Sequence, residues 1–465
     1  MIDTVAIRNK LMHLAVSGNL VEHDIEDGNA SELVEKISHE INGSSRREVA
    51  IDEIPYEIPE NWTWCRLSDI GSTNIGLTYH PEDVVIDGIP VLRSNNIKNN
   101  KLIFDDLIKV NCEIREKQYI GENDILICAR NGSKALVGKC AIYSGELGLT
   151  SFGAFMAVYR TQCFEYVYYY FQTKVFRRYF ENENNKQINQ VTQSILKDAI
   201  IPLPPIKEQK RIVEKINKVF ELLDVIDEMQ QQYSSDLETL KSKIIDAGIQ
   251  GKLTEQLPED GTAEELLEQI AEEKKQLIKE KKIKATKALP EITEDEIPFE
   301  IPDNWKWVRV VDIGITNTGS TPTKTNAANY GGNYPFFKPS DLDAGNHITK
   351  ASEYLSELGK DASRQFAKGT ILVCCIGSIG KSAIIDEDGT ANQQINAWTP
   401  IMCDSNYLQF AIQSNFFINQ LVDKSRATTV SIIKKSKFDS CIIPLPPLAE
   451  QERIAKRIDE IMAMC

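Results

Sequence analysis

The chain has 465 residues, a formal net charge of −15, 42% hydrophobic and 26% charged residues, the make-up of a soluble globular protein of two or three domains. No run approaches the roughly 18 apolar residues of a membrane span, and the first twenty residues lack a secretory apolar core. The ten cysteines contain no C-x-x-C pair and the five histidines are scattered, so the expectation is a reduced, cytoplasmic protein without a bound metal.

In chain order, residues 1–50 read as an N-terminal helical segment whose "SGNLVEHDIEDGNASELVEKI" (17–37) returns as "QGKLTEQLPEDGTAEELLEQI" (250–270). A Trp arm, "DEIPYEIPENWTW" (52–64), returns as "DEIPFEIPDNWKW" (295–307), and between 52–76 and 295–319, 17 of 25 positions are identical. Its prolines rigidify an extended segment. Trp62, Trp64, Trp305 and Trp307 read as anchors in a core, Tyr168, Tyr169 and Tyr170 likewise. A Pro arm, "IIPLPPIKEQKRI" (200–212), returns as "IIPLPPLAEQERI" (442–454). Repeats of this length are structural modules.

Each pair of arms brackets a variable block, 51–205 and 291–447. "DILICA" (124–129) and "TILVCC" (370–375) read as buried strands. Each leads through a glycine turn to a second strand, "GKCAIY" (138–143) and "GKSAII" (380–385). "YVYYYFQTKVF" (166–176) and "YLQFAIQSNFF" (407–417) read as helices. Residues 71–198 hold 15 Lys and Arg against 14 Asp and Glu, and residues 314–440 hold 12 against 11, so the acid lies outside these blocks. A nucleic-acid partner is thereby permitted, not demonstrated.

Between the blocks, 206–290 reads as a central helical region. Positions 212, 216, 219, 223, 226, 230, 233, 237, 240 and 244 follow a 4-3 spacing, and all but Gln230 are apolar or aromatic, the seam of a coiled coil. Pro204 and Pro205 open the helix; Gly248 and Gly251 are expected to end it. The Lys-rich stretch 274–287 reads as a solvated helix face or a phosphate contact. The C-terminal helix (448–465) restarts the seam with Ile454, Ile458, Ile461 and Cys465, and Ile7, Leu11 and Gly18 match Leu240, Ile244 and Gly251. Chain end and chain start thus read as halves of one helix lying against the central one. The expected fold is α+β, with two globular blocks separated by long antiparallel coiled-coil helices in a pseudo-two-fold circular repeat.

No catalytic frame is present. "GSIGKS" (377–382) has Cys375 where a phosphate loop needs glycine, and "GSKALVGKC" (132–140) is one residue too long. "NYPF" (333–336) lacks a companion cofactor loop and reads as a turn entering a strand. The chain reads as a binder.

The arms "IPLPPxxEQxRI" and "IPxNWxW", the helix ending "GKLT" and the two dissimilar blocks resemble the specificity (S) subunit of type I restriction–modification enzymes, over essentially the whole chain. "GLTY…PVLRSNNI…GSKALVGK…SFGAF" and "GSTPT…NYPFFKPSDL…GTILV…GSIGKSAI…NQQ" each look like a known class of target recognition domain. The resemblance implies a non-catalytic subunit that binds double-stranded DNA, each block reading one half of a split, asymmetric site in the major groove. It further implies helices that set the spacer and dock two methyltransferase and two restriction subunits. S-adenosylmethionine, ATP and Mg would belong to those partners. A seam of about 33 residues spans about 50 Å, or about 15 base pairs. Base-reading candidates are Thr78, Tyr79, Arg93, Ser94, Asn95, Asn96 and Lys134 in the first block, and Thr321, Thr323, Lys324, Lys338, Ser340, Asp341, Ser378 and Gln393 in the second. Arg and Lys suit guanine, Asn and Gln adenine; each could instead touch phosphate. The alternative is a coiled-coil protein-interaction adaptor without sequence-specific DNA binding.

Overall fold

A computed structural model describes residues 1–43, 46–181, 190–286, 288–425 and 432–465. Its chain forms two compact units, Met1–Gln231 and Gln232–Cys465. The boundary falls inside one helix of 44 residues, Ile206–Ile249, which starts directly after Pro204 and Pro205. Lys, Glu, Gln and Leu are frequent on it beside seam isoleucines and valines, and no glycine interrupts it before Gly248.

In the first unit the N-terminal helix (Thr4–Val16), capped by the Asp3 carboxylate, runs antiparallel to the first half of the central helix. Arg8 pairs with Asp224 at 2.7 Å and Asp227 at 3.0 Å, and Thr4 donates to Asp227 at 2.5 Å. Leu11, Ala15 and Val16 meet Ile212 and Ile216 in one core. Two sheets carry the block. One has four antiparallel strands in the order Cys140–Ile142, Ile125–Cys128, Met156–Arg160, Ser72–Ile75. The other has five, in the order Val84–Val85, Ile108–Val110, Ile89–Leu92, Thr150–Phe152, Tyr119–Ile120, with 89–92 and 150–152 parallel. The arms pair with each other, Thr63–Arg66 against Ile200–Leu203.

The second unit repeats this plan. Its larger sheet orders Gly314–Thr318, Ile395–Pro400, Ile371–Cys374, Ser382–Ile385 and His347–Ile348; the smaller orders Glu353–Leu355, Tyr330–Phe337, Gly389–Ala391 and Gln365–Phe366. Lys306–Arg309 pairs with Ile442–Leu445. The C-terminal helix (Leu448–Met462) buries Ile454 and Ile458 with Ile244, Ile245 and Ile249 from the far end of the central helix.

Each unit closes around a buried carboxylate at the start of its arm-following helix. Glu208 is fully buried and accepts from Trp62 Nε1 at 2.9 Å and Asn61 Nδ2 at 3.2 Å, with His23 Nδ1 at 2.7 Å. Glu450, also fully buried, accepts from Trp305 Nε1 and Gln256 Nε2 at 2.9 Å and from Thr254 Oγ1 at 3.2 Å. A buried charge is tolerated only when its lone pairs are filled in this way. Beside these knots Arg211 grips Asp27 and Arg453 grips Asp260, both at 2.5 Å, and each arginine holds its aspartate below the ordinary carboxylate range. Gly18 and Gly251 turn at φ +74° and +71°; a Cβ there would lie 2.4 Å from Pro59 Cγ and 2.6 Å from Pro302 Cγ. The Trp arm crosses the helix end through that gap.

The anchors sit as expected: Trp62, Trp64 and Trp305 are buried, and Trp307 packs on Phe299 and Phe416 with centroids 5.0 and 5.3 Å away. Tyr169 and Tyr170 are buried too, and Tyr168 is half-buried. Four expectations need correcting. Gly248 does not end the central helix; it lies in the last turn, where a Cβ would approach Ile458 Cδ1 to 2.7 Å. The predicted helices 166–176 and 407–417 each break in two, at residues 172–173 and at Ser414. "NYPF" lies wholly within the strand Tyr330–Phe337, next to a register shift. The seam is buried at Ile212, Ile216, Leu223 and Ile244, but Tyr233 is 60% and Leu240 46% exposed.

Candidate nucleic-acid interface

The two sheets of the first unit bring four turns, 76–79, 93–96, 129–137 and 153–155, to one end of the block. The strand Ser72–Ile75 leaves through Gly76, whose N–H reaches Met156 O at 3.2 Å, and Leu77 N–H reaches Phe152 O at 2.6 Å. This sets Thr78 in solvent and lays Tyr79 against the small apolar cluster of Leu77, Val91 and Val110. Gly153 N–H then bonds Leu92 O at 2.9 Å, placing the turn 93–96 beside it. Within that turn Arg93 N–H donates to Asn96 Oδ1 at 2.9 Å, while Asn96 Nδ2 donates to Ile103 O and Asp106 O. Asn96 is only 1% exposed, so its amide is committed to the fold. Its neighbours face outward: Arg93 pairs with Asp106 at 3.1 Å, Asn95 donates to the same carboxylate at 2.6 Å, and Ser94 accepts from Asn131 at 3.1 Å. That last bond ties in the third turn, on which Lys134 is exposed.

The second unit builds the same frame from different letters. Gly319 N–H bonds Ile395 O and Ser320 N–H bonds Ala391 O, so Thr321 takes the place of Thr78. Thr321 Oγ1 donates to the exposed Gln393. Asn392 N–H bonds Phe337 O at 3.1 Å, setting the turn 338–341 where 93–96 stands in the first unit. Lys338 N–H donates to Asp341 Oδ2 at 2.7 Å, the bond Asn96 makes in the other block. Asp341 also accepts from Ser352 N–H at 3.1 Å, and Lys338 Nζ pairs with Glu353 at 2.8 Å. Thr323, Lys324, Ser340 and Ser378 are exposed. Among the described residues neither Lys134 nor Lys324 has a carboxylate partner.

Thus Asn96 and Asp341 support the turns, Tyr79 packs beneath one of them, Arg93, Ser94, Thr321 and Lys338 are half-buried, and Thr78, Asn95, Lys134, Thr323, Lys324, Ser340, Ser378 and Gln393 form the exposed rim. Such a rim, donor-rich and nearly neutral, matches hydrogen bonding to base edges and phosphates better than catalysis. Three residues on the frame escaped the sequence reading: Arg130 and Phe155 in the first unit, and Arg364, whose N–H donates to Ser320 Oγ at 2.8 Å and whose guanidinium caps Thr318 O. The signal for Arg130 was available, because it directly follows a buried strand at a place where the second block has Ile376. In the Lys-rich stretch, Lys274 is half-buried and donates to Val311 O at 2.6 Å, a packing role; Lys287 lies outside the described residues. Among the described residues no helix is long and apolar enough to cross a membrane.

Comparison with known proteins agrees on one group. The family profile described as "Type I restriction modification DNA specificity domain" matches residues 59–232 and again 302–465. The type I restriction enzyme EcoAI specificity subunit of Escherichia coli is 25% identical, covering 99% of this chain and 89% of its own. The EcoEI specificity subunit of the same species is 27% identical over 66% of this chain and 61% of its own. A solved structure from work on complex assembly and conformational transition of the type I R-M system superposes with a TM-score of 0.61, at 18% identity, covering 88% of this chain and 92% of that one. At that identity the superposition speaks for the fold.

Proposed function

We propose, from the premise that this chain belongs to the type I restriction–modification DNA specificity family, that it is the subunit which tells such a complex where to act. It is a non-catalytic component. Its partners are double-stranded DNA and the methyltransferase and restriction subunits, two of each. Each block, 51–205 and 291–447, reads one half of a bipartite asymmetric site in the major groove. The helical regions 1–50, 206–290 and 448–465 set the unread spacer and dock the other subunits. S-adenosylmethionine, ATP and Mg are used by those subunits, in the cytoplasm.

One observation carries this reading: the same four-turn frame occurs twice with different exposed residues. A pair of equal frames with unequal rims is what two half-sites of different sequence require. The first unit's part of the central helix supports the docking role, since Leu222, Val225 and Met229 are 59%, 48% and 66% exposed there. Apolar residues left in water along a helix suit a helical partner. Asn95 and Gln393 suit adenine and Arg93 guanine, with Thr78, Thr321, Thr323, Lys324, Lys134 and Ser378 on bases or phosphates.

The test is single-molecule sequencing of N6-methyladenine in cells carrying the methyltransferase subunit with and without this chain. A split motif that appears only with the chain is expected, and one inserted helical turn in the central helix should widen its unread spacer. No chain-dependent motif would leave the adaptor reading in its place.

A further inference from the structure

Phe155, a large aromatic on the turn that follows Gly153, is 62% exposed. The Arg130 guanidinium lies over it, 5.7 Å from the ring centroid. Both residues are set by main chain: Ala129 N–H and Arg130 N–H donate to Phe155 O at 2.9 and 3.0 Å. Gly153, two residues before the ring, is the residue bonded to Leu92 O, with Arg93 Cγ 3.8 Å from where a Cβ would sit. The pair therefore stands on the same rim as Arg93 and Thr78. Arg93 and Arg160 each answer to an aspartate, but among the described residues no carboxylate pairs with Arg130. In the second unit the equivalent bond, Cys375 N–H to Gln394 O at 2.8 Å, puts Ile376 and Gln394 at these two positions. One frame thus presents a cation on an aromatic plate, and the other an aliphatic beside an amide.

We propose that Arg130 is a base-reading residue of the first unit, its fork on the O6 and N7 of a guanine, with Phe155 as the plate that fixes the fork's plane and meets the methyl of a neighbouring thymine. This rests on the sequence-reading role proposed above. Stacking removes rotamer freedom before DNA arrives, so less is lost on binding. A planar fork matches guanine in two bonds, and lysine, a point charge, does not.

The full chain assembled with its methyltransferase subunits is titrated against duplexes in which each base pair of the mapped half-site is changed in turn. Arg130→Ala is expected to erase discrimination at one G·C pair, by about 10- to 100-fold, and to leave the other positions intact. Arg130→Lys should fail to restore it, and Phe155→Ala should weaken it at that pair and its neighbour. Equal loss on cognate and scrambled duplex would make Arg130 a phosphate contact and overturn the proposal. So would unchanged discrimination in variants whose thermal unfolding matches the parent. If the parent complex selects no site at all, the underlying reading fails first and this one with it.

Discussion

Between Cys128 and Gly138 the first unit uses nine residues for its third turn, and between Cys374 and Gly380 the second uses five, although both turns close with the same glycine N–H to cysteine carbonyl bond. Below the turns the units agree almost atom for atom: Tyr166 and Tyr407 both donate to a proline carbonyl at 2.7 Å and both stand edge-on to the arm tryptophan. The difference teaches where each kind of constraint acts. Buried hydrogen bonds tolerate few substitutes, so the knots match; solvent-facing turns tolerate insertions, so the rims diverge. Even the knots share only the tryptophan donor: His23 stands where the other unit has Gln256, while Asn61 serves Glu208 alone and Thr254 serves Glu450 alone.

The comparison can be broken at the knots. Glu208→Ala and Glu450→Ala each strand an indole N–H and further donors, and each should lower the unfolding free energy by about 3–5 kcal/mol, read by urea unfolding of the full chain. If one variant unfolds like the parent, the knots are not equivalent. Gly18→Ala and Gly251→Ala combine a positive φ with a clash against proline and should cost about 2–3 kcal/mol each in the same assay. Asn96→Ala removes a buried amide that bonds the Ile103 and Asp106 carbonyls and the Arg93 N–H, and should cost about 1–2 kcal/mol. Asp341→Ala, on a more exposed turn, should cost less.

Acid sharpens a smaller contrast. The Arg309 fork holds Glu296 with two bonds of 3.0 Å, and that hydrogen bonding drops its carboxyl from 4.5 to about 2. In the first unit Arg66 holds Glu53 with one bond of 2.7 Å, in the same direction. A depressed carboxyl stabilises fully above its unfolded value and loses that contribution as pH falls. Stability from Glu296 should therefore fade from pH 4.5 down toward 2, and Glu296→Gln should flatten that slope in acid-dependent unfolding. Smallest of all, Leu222→Ser or Met229→Ser should leave unfolding within about 0.5 kcal/mol while weakening capture of the methyltransferase subunit.

The repeat, the arms and the core strands were legible because duplicated letters make duplicated bonds: "NWxW" and "EQxRI" are two ends of one knot. That Glu208 and Glu450 are fully buried was not legible, since a glutamate in a first helical turn ordinarily faces water. The 4-3 seam announced an apolar stripe but could not say which stretch stays uncovered. On the rim, Asn95 and Asn96 are the same letter side by side, one in solvent and one sealed under the turn. Only the pairing with Ile103 and Asp106 separates them. Arg130 carries no motif letter that marks it, because its position is set by a carbonyl 25 residues later in the chain.

A fold fastened where three distant stretches share one carboxylate has no loose end from which to fray. Residues 17–28, the Trp arm and the start of the following helix can only come apart together, since any one leaving alone abandons a charge in oil. Amide protons of those stretches should therefore exchange with solvent as a single cooperative block in each unit, and the weakest strand there lasts as long as the strongest.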